Sequence, residues 1–199
     1  MARKDDVGRF HELSATYDSS WFQRYIEPLH DAVLEQALRA LQGRNPNAIV
    51  DVGCGTGRLL RKASQHWPSA ELIGIDPAAG MIEVARNLSP NARFYQAPAE
   101  NLPLADASAD LVLSSISMHH WSDAGLGMRE IHRVLRDRGI FCLADIAIPS
   151  WLAKLFRSKA KSGAERAELL RGNGFSIRHQ QSVWSGFALI STTESFPAE

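Results

Sequence analysis

The sequence predicts an α/β fold, a Rossmann-like doubly wound sheet, mostly parallel, with helices on both faces and a C-terminal antiparallel hairpin. Three observations carry this prediction. Short apolar, β-branched runs recur at 48–52, 71–76, 92–97, 109–117 and 139–148. Segments with apolar residues at helical spacing separate them, and the first run ends in Gly53-Cys54-Gly55-Thr56-Gly57. Near-continuous apolar strands alternating with helices are the signature of a parallel sheet covered on both faces, joined by right-handed crossovers.

The elements follow in order. Residues 29–41 place Leu29, Val33, Leu34, Ala37, Leu38 and Leu41 on one helical face, and Gly43-Arg44-Asn45-Pro46 ends that helix. The strand at 48–52 leads through the glycine turn into a helix at 58–66, closed by Trp67-Pro68. A second strand (71–76), a helix (78–88) and a third strand (92–97) follow. A loop through Pro98 and Pro103 then reaches the fourth strand, 109–117. Residues 123–136 carry Met128, Ile131, Val134 and Leu135 on one face, before a fifth strand at 139–148. Helical segments run on to Arg171. Two strands near 175–183 and 187–193, joined by Trp184-Ser185-Gly186, form the hairpin. At 199 residues the chain reads as one domain with one sizeable core. Residues 1–44 form its N-terminal helical cap, 45–148 its ligand-binding core, and 149–199 a C-terminal helix and hairpin.

Composition narrows the function. Twenty-two basic residues balance 22 acidic ones, so no broad cationic field exists to attract nucleic acid or an anionic membrane. No apolar run reaches the roughly 18 residues of a membrane span. The opening MARKDDVGRFHELS has no apolar stretch behind it, so no secretory signal is expected. The two cysteines, Cys54 and Cys142, make no CxxC pair, which fits a reducing cytoplasm. The scattered histidines at 11, 30, 66, 132 and 179 show no ligand spacing, so no metal site is expected.

In a sheet of this kind, ligands bind beyond the carboxyl ends of the strands where the strand order reverses. Glycines at 53, 55 and 57 allow a tight bend that a ligand can approach without meeting a Cβ. The helix that follows presents free N–H groups. A dinucleotide fingerprint would put its third glycine at position 58, and a P-loop would put glycine at 58 and lysine at 59. The chain has Arg58 and Leu59 there, so both phosphate-binding readings fail. Asp51 just before the bend would repel a phosphate and favour a cationic group. Asp76 closes the second strand, where a carboxylate accepts hydrogen bonds from ribose hydroxyls. The ligand so described is a nucleoside with an unphosphorylated ribose and a positively charged tail.

Here the chain resembles a family. Val50–Leu60 (VDVGCGTGRLL), Leu72–Arg86 (LIGIDPAAGMIEVAR), Ala97–Leu104 (APAENLPL), Ala109–Trp121 (ADLVLSSISMHHW) and Glu130–Leu143 (EIHRVLRDRGIFCL) resemble, in order, the motifs of class I S-adenosylmethionine-dependent methyltransferases. The branch they look most like methylates quinones, lipids and other small molecules. The resemblance implies S-adenosylmethionine as cofactor and a small, apolar or aromatic methyl acceptor. It places Gly53, Cys54, Gly55, Thr56 and Gly57 against the methionine portion, with Asp51 near its ammonium group. Asp76 would hold the ribose, and Pro77 and Met81 would flank the adenine. Ala99 and Glu100 would meet the adenine edge, and Ser114 and Ser115 would border the sulfur. Phe10–Asp18 (FHELSATYD) resembles the family's N-terminal segment, whose tyrosine, Tyr17 here, closes over the cofactor. The chain departs from the family pattern in three places. Pro98 stands where an acidic residue often receives the adenine amino group, which shifts that role to Glu100 or the backbone. Arg138-Gly139 replaces a glycine pair, and the segment before the final hairpin is compact.

The candidate catalytic residues are His119 and His120, just past the fourth strand, where either imidazole could take a proton from an acceptor hydroxyl. Asp145 is a further candidate base or a buried structural acid. Trp151, Leu152, Leu155 and Phe156, beside Lys154, Arg157, Lys159 and Lys161, make a basic amphipathic stripe over 151–161. It would either touch a membrane surface peripherally or cover the acceptor pocket. Two further readings remain: a non-catalytic S-adenosylmethionine- or nucleoside-binding protein with this fold, and an RNA methyltransferase, against which the neutral charge argues.

Overall fold

The computed structural model describes residues 3–18, 21–148, 160–183 and 188–195. Two helices, α1 (Arg3–Tyr17) and α2 (Trp21–Leu41), precede the sheet. Then come β1 (Ala48–Val52), α3 (Arg58–His66), β2 (Glu71–Asp76), α4 (Ala79–Leu88), β3 (Arg93–Gln96) and β4 (Ala109–Ser115). A 3₁₀ turn at Met118–His120 leads to α5 (Ala124–Val134) and β5 (Leu135–Ile146). The described chain closes with α6 (Gly163–Arg171), β6 (Phe175–Val183) and β7 (Ala188–Ser195).

The strands lie in the order β3-β2-β1-β4-β5-β7-β6. The first five are parallel, and β7 runs antiparallel to both β5 and β6. The chain leaves β1 towards β2 and β3, then returns to β4 on the other side. The strand order therefore reverses between β1 and β4, directly above the glycine bend.

In the central strands β1 and β4 both faces of the sheet are buried, which is why they read as near-continuous apolar runs, whereas the edge strand β6 is largely exposed. Along β4, Leu111 and Leu113 pack with Leu29, Val33, Leu60 and Ile82, under α2, α3 and α4. Val112 points the other way and packs with Val50, Met128, Phe141 and Leu170, under α5 and α6. Caps set several helix starts. Gly57, with φ +78°, opens α3, and Asp123 accepts a hydrogen bond from Leu126 N–H at 3.0 Å to open α5. Ser162 and Glu165 form a reciprocal capping box on α6.

Several boundaries depart from expectation. Helix α2 starts at Trp21, eight residues before the predicted start, and runs through Pro28. Strand β5 begins at Leu135, because the chain passes straight from α5 into extended backbone, with a register shift in the β4–β5 pairing between Ala109 and Leu111. The final hairpin is antiparallel as expected. Its connection at Trp184–Gly186, and all of the 151–161 stripe except Ala160 and Lys161, lie outside the described residues. Among the described residues no helix is long and apolar enough to cross a membrane.

Candidate active site

A cleft opens at the carboxyl ends of β2, β1 and β4, roofed by α1, with about 1170 Å³ of space including its mouth. Its floor is the bend after β1. Gly53, Gly55 and Gly57 have φ of +77°, +52° and +78°, a region L side chains rarely adopt. Gly53 N–H and Cys54 N–H both donate to the Ile75 carbonyl, at 2.8 and 3.1 Å, which ties the bend to β2. Asp76 fastens it again. One carboxylate oxygen accepts Gly55 N–H at 3.0 Å and the other accepts Ala78 N–H at 2.9 Å. Each oxygen keeps a second lone pair for a ligand. A Cβ on Gly53 would fall inside the Ser117 side chain, and one on Gly57 would lie 3.1 Å from the Phe94 ring.

Asp51 is the electrostatic centre of the cleft. Its side chain is 2% exposed, and no hydrogen bond from the described residues reaches its carboxyl group. Burial, and then the neighbouring Asp76, push its pKa up to about 8. Burial also raises Asp76, although the N–H groups of Ala78 and Gly55 pull it back. Burial, then Asp76 and Asp51, drive the Cys54 thiol well above its ordinary range, which leaves it a packing group rather than a nucleophile.

Helix α1 is tied over this floor at its middle and just past its C-terminal end. Asp18 accepts a hydrogen bond from the Thr56 hydroxyl at 2.5 Å and pairs with Arg61 at 2.9 Å. His11 Nδ1 accepts Gly80 N–H at 2.9 Å. From α1, Val7, Phe10 and Tyr17 line the cleft. Phe10 meets Tyr17 edge-on at 6.2 Å and His120 at 5.2 Å between ring centroids.

Most of the residues singled out in the sequence converge here. Tyr17, Asp51, Gly53, Cys54, Gly55, Thr56, Asp76, Pro77, Met81, Ala99, Glu100, Ser115 and His120 all line the cleft. Three do not. Gly57 packs against Phe94 beneath the bend. Ser114 is fully buried on the Val112 side of β4, because alternate residues of a strand face opposite ways, so only Ser115 meets the cleft. His119 turns away to Asp145, a residue of β5 that accepts its backbone N–H at 2.9 Å and contacts its Nδ1 at 2.6 Å. Burial alone would raise the Asp145 pKa, but the His119 and Arg166 charges and the hydrogen bonds outweigh it, so the carboxylate is held ionised. Asp145 is thus a buried structural acid that fixes the 3₁₀ turn. His120 is left in the cleft wall, its ring 4.0 Å from that of His119. One Glu100 oxygen accepts Asp123 N–H at 2.8 Å.

The sequence did not single out Ile26, His30, Ser117 and Trp121, which also line the cleft. Helical spacing could have paired Ile26 with His30 one turn on. Nothing local marks Ser117, whose hydroxyl accepts the Trp121 indole N–H at 3.0 Å.

The groups present fit a nucleoside with a cationic tail. They comprise a left-handed glycine bend, a ribose-ready carboxylate at Asp76, and a buried Asp51 carboxyl that no described residue hydrogen-bonds. Comparisons with known proteins agree. Residues 50–143 match the methyltransferase domain family. The demethylmenaquinone methyltransferase of Chlorobaculum parvum is 30% identical over 146 residues, covering 70% of this chain and 59% of that protein. The malonyl-[acyl-carrier protein] O-methyltransferase of Dechloromonas aromatica is 33% identical over 150 residues, covering 75% of this chain and 55% of that protein. The chain therefore spans somewhat over half the length of these curated relatives. In shape it is similar to a chain of the complex between the Haloferax volcanii Trm112 methyltransferase activator and a methyltransferase. That match has a TM-score of 0.78 at 19% identity, covering 94% of this chain and 98% of the other.

Proposed function

Because the chain belongs to the class I S-adenosylmethionine-dependent methyltransferases, we propose that it methylates a small apolar or aromatic acceptor held between α1, α2 and the end of β4. One observation carries this reading: the Asp51 carboxyl, buried and without a hydrogen bond from the described residues, beside the left-handed bend of Gly53, Gly55 and Gly57. When bound, the cofactor supplies an electrophilic methyl group on a sulfonium.

The chain's own residues do the rest. Asp51 holds the ammonium group, and the backbone of residues 53–56 lies along the methionine portion. Asp76 accepts from the ribose hydroxyls. Pro77 and Met81 flank the adenine, with the Ala99 backbone and the Glu100 carboxylate at its edge. The strapped α1 excludes water and aligns the acceptor, and positioning of this kind supplies roughly 7–11 kcal/mol of a transfer barrier. His120 takes the proton from an acceptor hydroxyl, while His119, gripped by Asp145, sets its angle. The balanced charge and unpaired cysteines support a cytoplasmic protein with no nucleic-acid partner.

Two measurements test this. Titration calorimetry with S-adenosylhomocysteine gives saturable binding that weakens about thirtyfold or more in Asp76→Ala, as expected for lost hydrogen bonds to both hydroxyls and to the bend. Native protein giving no binding heat would overturn the reading. Under turnover with a panel of phenols and quinols, His120→Gln lowers kcat on the order of 10²–10⁴-fold and leaves cofactor affinity intact. Equal rates for the two proteins would remove the base role.

A further inference from the structure

We propose that Ile116 sets the size of the methyl acceptor: its side chain, carried into the cleft on a left-handed backbone, is the apolar stop against which the acceptor seats. The proposal rests on the methyltransferase reading and adds to it a specificity-determining residue.

The observation behind it is a backbone angle. Ile116, the first residue past β4, has φ +52°. There a Cβ crowds the following carbonyl oxygen, and a β-branched residue is a genuine outlier. Strain of this kind persists only where the surrounding structure imposes it, and it gathers at functional sites. Gln42, Ala107 and Arg138 are the other non-glycine residues with positive φ among the described residues. None of the three is β-branched and none lines the cleft.

The conformation is imposed from both sides. Ile116 N–H donates to the Ala144 carbonyl at 2.8 Å, which carries the β4–β5 pairing one residue past Ser115. Beyond it the 3₁₀ turn is held by His119 N–H on Asp145 at 2.9 Å and by the Trp121 indole on Ser117 at 3.0 Å. The chain pivots between these two clamps at residue 116. Glycine would make the same pivot without strain. What glycine would lack is the side chain, so the use of isoleucine lies in the side chain rather than in the turn.

Position shows what that use is. Asp76 ends β2, the glycine bend follows β1 and Ile116 follows β4, on three neighbouring strands taken in that order. Ile116 therefore stands on the side of the bend away from the ribose site. Its side chain is half-buried. It packs against the core that contains Leu29 and Val33 of α2, and it also lines the cleft, as do Phe10, Ile26 and His120. A branched aliphatic group backed by close-packed core on a clamped backbone cannot retreat, so it rejects an acceptor by length.

The test uses protein saturated with S-adenosylhomocysteine and a series of one chemistry: phenol, 4-ethylphenol, 4-butylphenol and 4-hexylphenol, titrated by calorimetry at pH 7. In native protein affinity is expected to rise along the series, reach a maximum and then fall where the chain meets Ile116. Ile116→Ala moves the maximum to a longer chain and strengthens binding of the first phenol rejected by the native protein by at least about tenfold, since one methylene of fit is worth that much. Ile116→Phe moves the maximum the other way. Both keep S-adenosylhomocysteine affinity within about threefold. Thermal melts report the strain separately: Ile116→Gly melts about 2–4 °C above Ile116→Ala, the reverse of the order at an ordinary backbone position. A native protein that binds none of the phenols, or binds them ever more tightly with length, overturns the proposal. So does an Ile116→Ala protein that keeps the native maximum, loses cofactor affinity or melts above Ile116→Gly. Failure of S-adenosylhomocysteine itself to bind the native protein would instead remove the methyltransferase reading beneath it.

Discussion

Asp51→Asn is expected to weaken S-adenosylhomocysteine binding on the order of 10²–10³-fold while making the unliganded protein more stable at pH 8. The two effects have one origin. The Asp51 side chain is buried and takes no hydrogen bond from the described residues, and a cationic group removed from it costs several kcal/mol in such a site. Without ligand, the same burial lifts its pKa from 3.8 to about 8. The folded chain then holds a proton that the unfolded chain has released, so stability falls as pH climbs from about 4 to about 8 and levels off above that. Asparagine carries no such proton, so the advantage of Asp51→Asn widens across this window and is greatest at its alkaline end. Thermal melts of both proteins at pH 5, 7 and 8.5 measure it.

Ligand binding runs against that proton. An ammonium group beside Asp51 favours the carboxylate, so binding should expel up to one proton at pH 6–7, and affinity should climb towards pH 8 by at most about tenfold per unit. Calorimetry in phosphate and in Tris reads the released proton as a difference in apparent enthalpy. Identical enthalpies in the two buffers, with Asp51→Asn binding normally, would show that the carboxyl does not face the ligand's charge.

The parts of the site legible in the sequence are those set by local covalent constraint. Three alternating glycines after an apolar strand can serve little except a bend, and Asp51 and Asp76 sit at fixed offsets from it. The strands at 48–52 and 71–76 were readable because burial keeps most of their residues apolar, Asp51, Glu71 and Asp76 being the exceptions. What stayed hidden depends on register and on the absence of partners. Ser114 and Ser115 are the same residue type side by side, and only the parity of β4 sends one to the cleft and the other into the core. Asp145 meets His119 because β4 and β5 are neighbours in parallel, with Ser115 opposite Ala144, a pairing no short motif encodes. His30 looks like any polar residue on an amphipathic helix. Its distinction is a buried ring nitrogen that no described residue bonds, which exists only once α2 is docked. The first turns of α2 escaped notice because Pro28 interrupts the helical pattern there.

Gly53→Ala is expected to cost about 2–5 kcal/mol of stability and to abolish cofactor binding in whatever fraction still folds. Two strains add. At φ +77° a side chain bears the left-handed penalty of about 1–2 kcal/mol, and a Cβ there would overlap Ser117 Oγ and Cβ, an overpacking that typically costs 1–3 kcal/mol. Ser117 cannot step aside cheaply, because its hydroxyl holds the Trp121 indole N–H at 3.0 Å and Trp121 is packed against Gly127. Relief of the clash must therefore move the bend or the 3₁₀ turn, and the bend is fastened to β2 by Gly53 and Cys54 N–H. A double-mutant cycle separates the two strains. Ser117→Gly alone forfeits one buried hydrogen bond, about 1 kcal/mol. Combined with Gly53→Ala it removes the overlap but leaves the left-handed strain, so the pair should be more stable than the sum of the singles by about 1–3 kcal/mol. Urea melts of the four proteins give the coupling, and S-adenosylhomocysteine titration of the double variant reports whether the bend has returned. Strict additivity, or a Gly53→Ala protein that melts like the native one, would mean that residue 53 has room this geometry denies it.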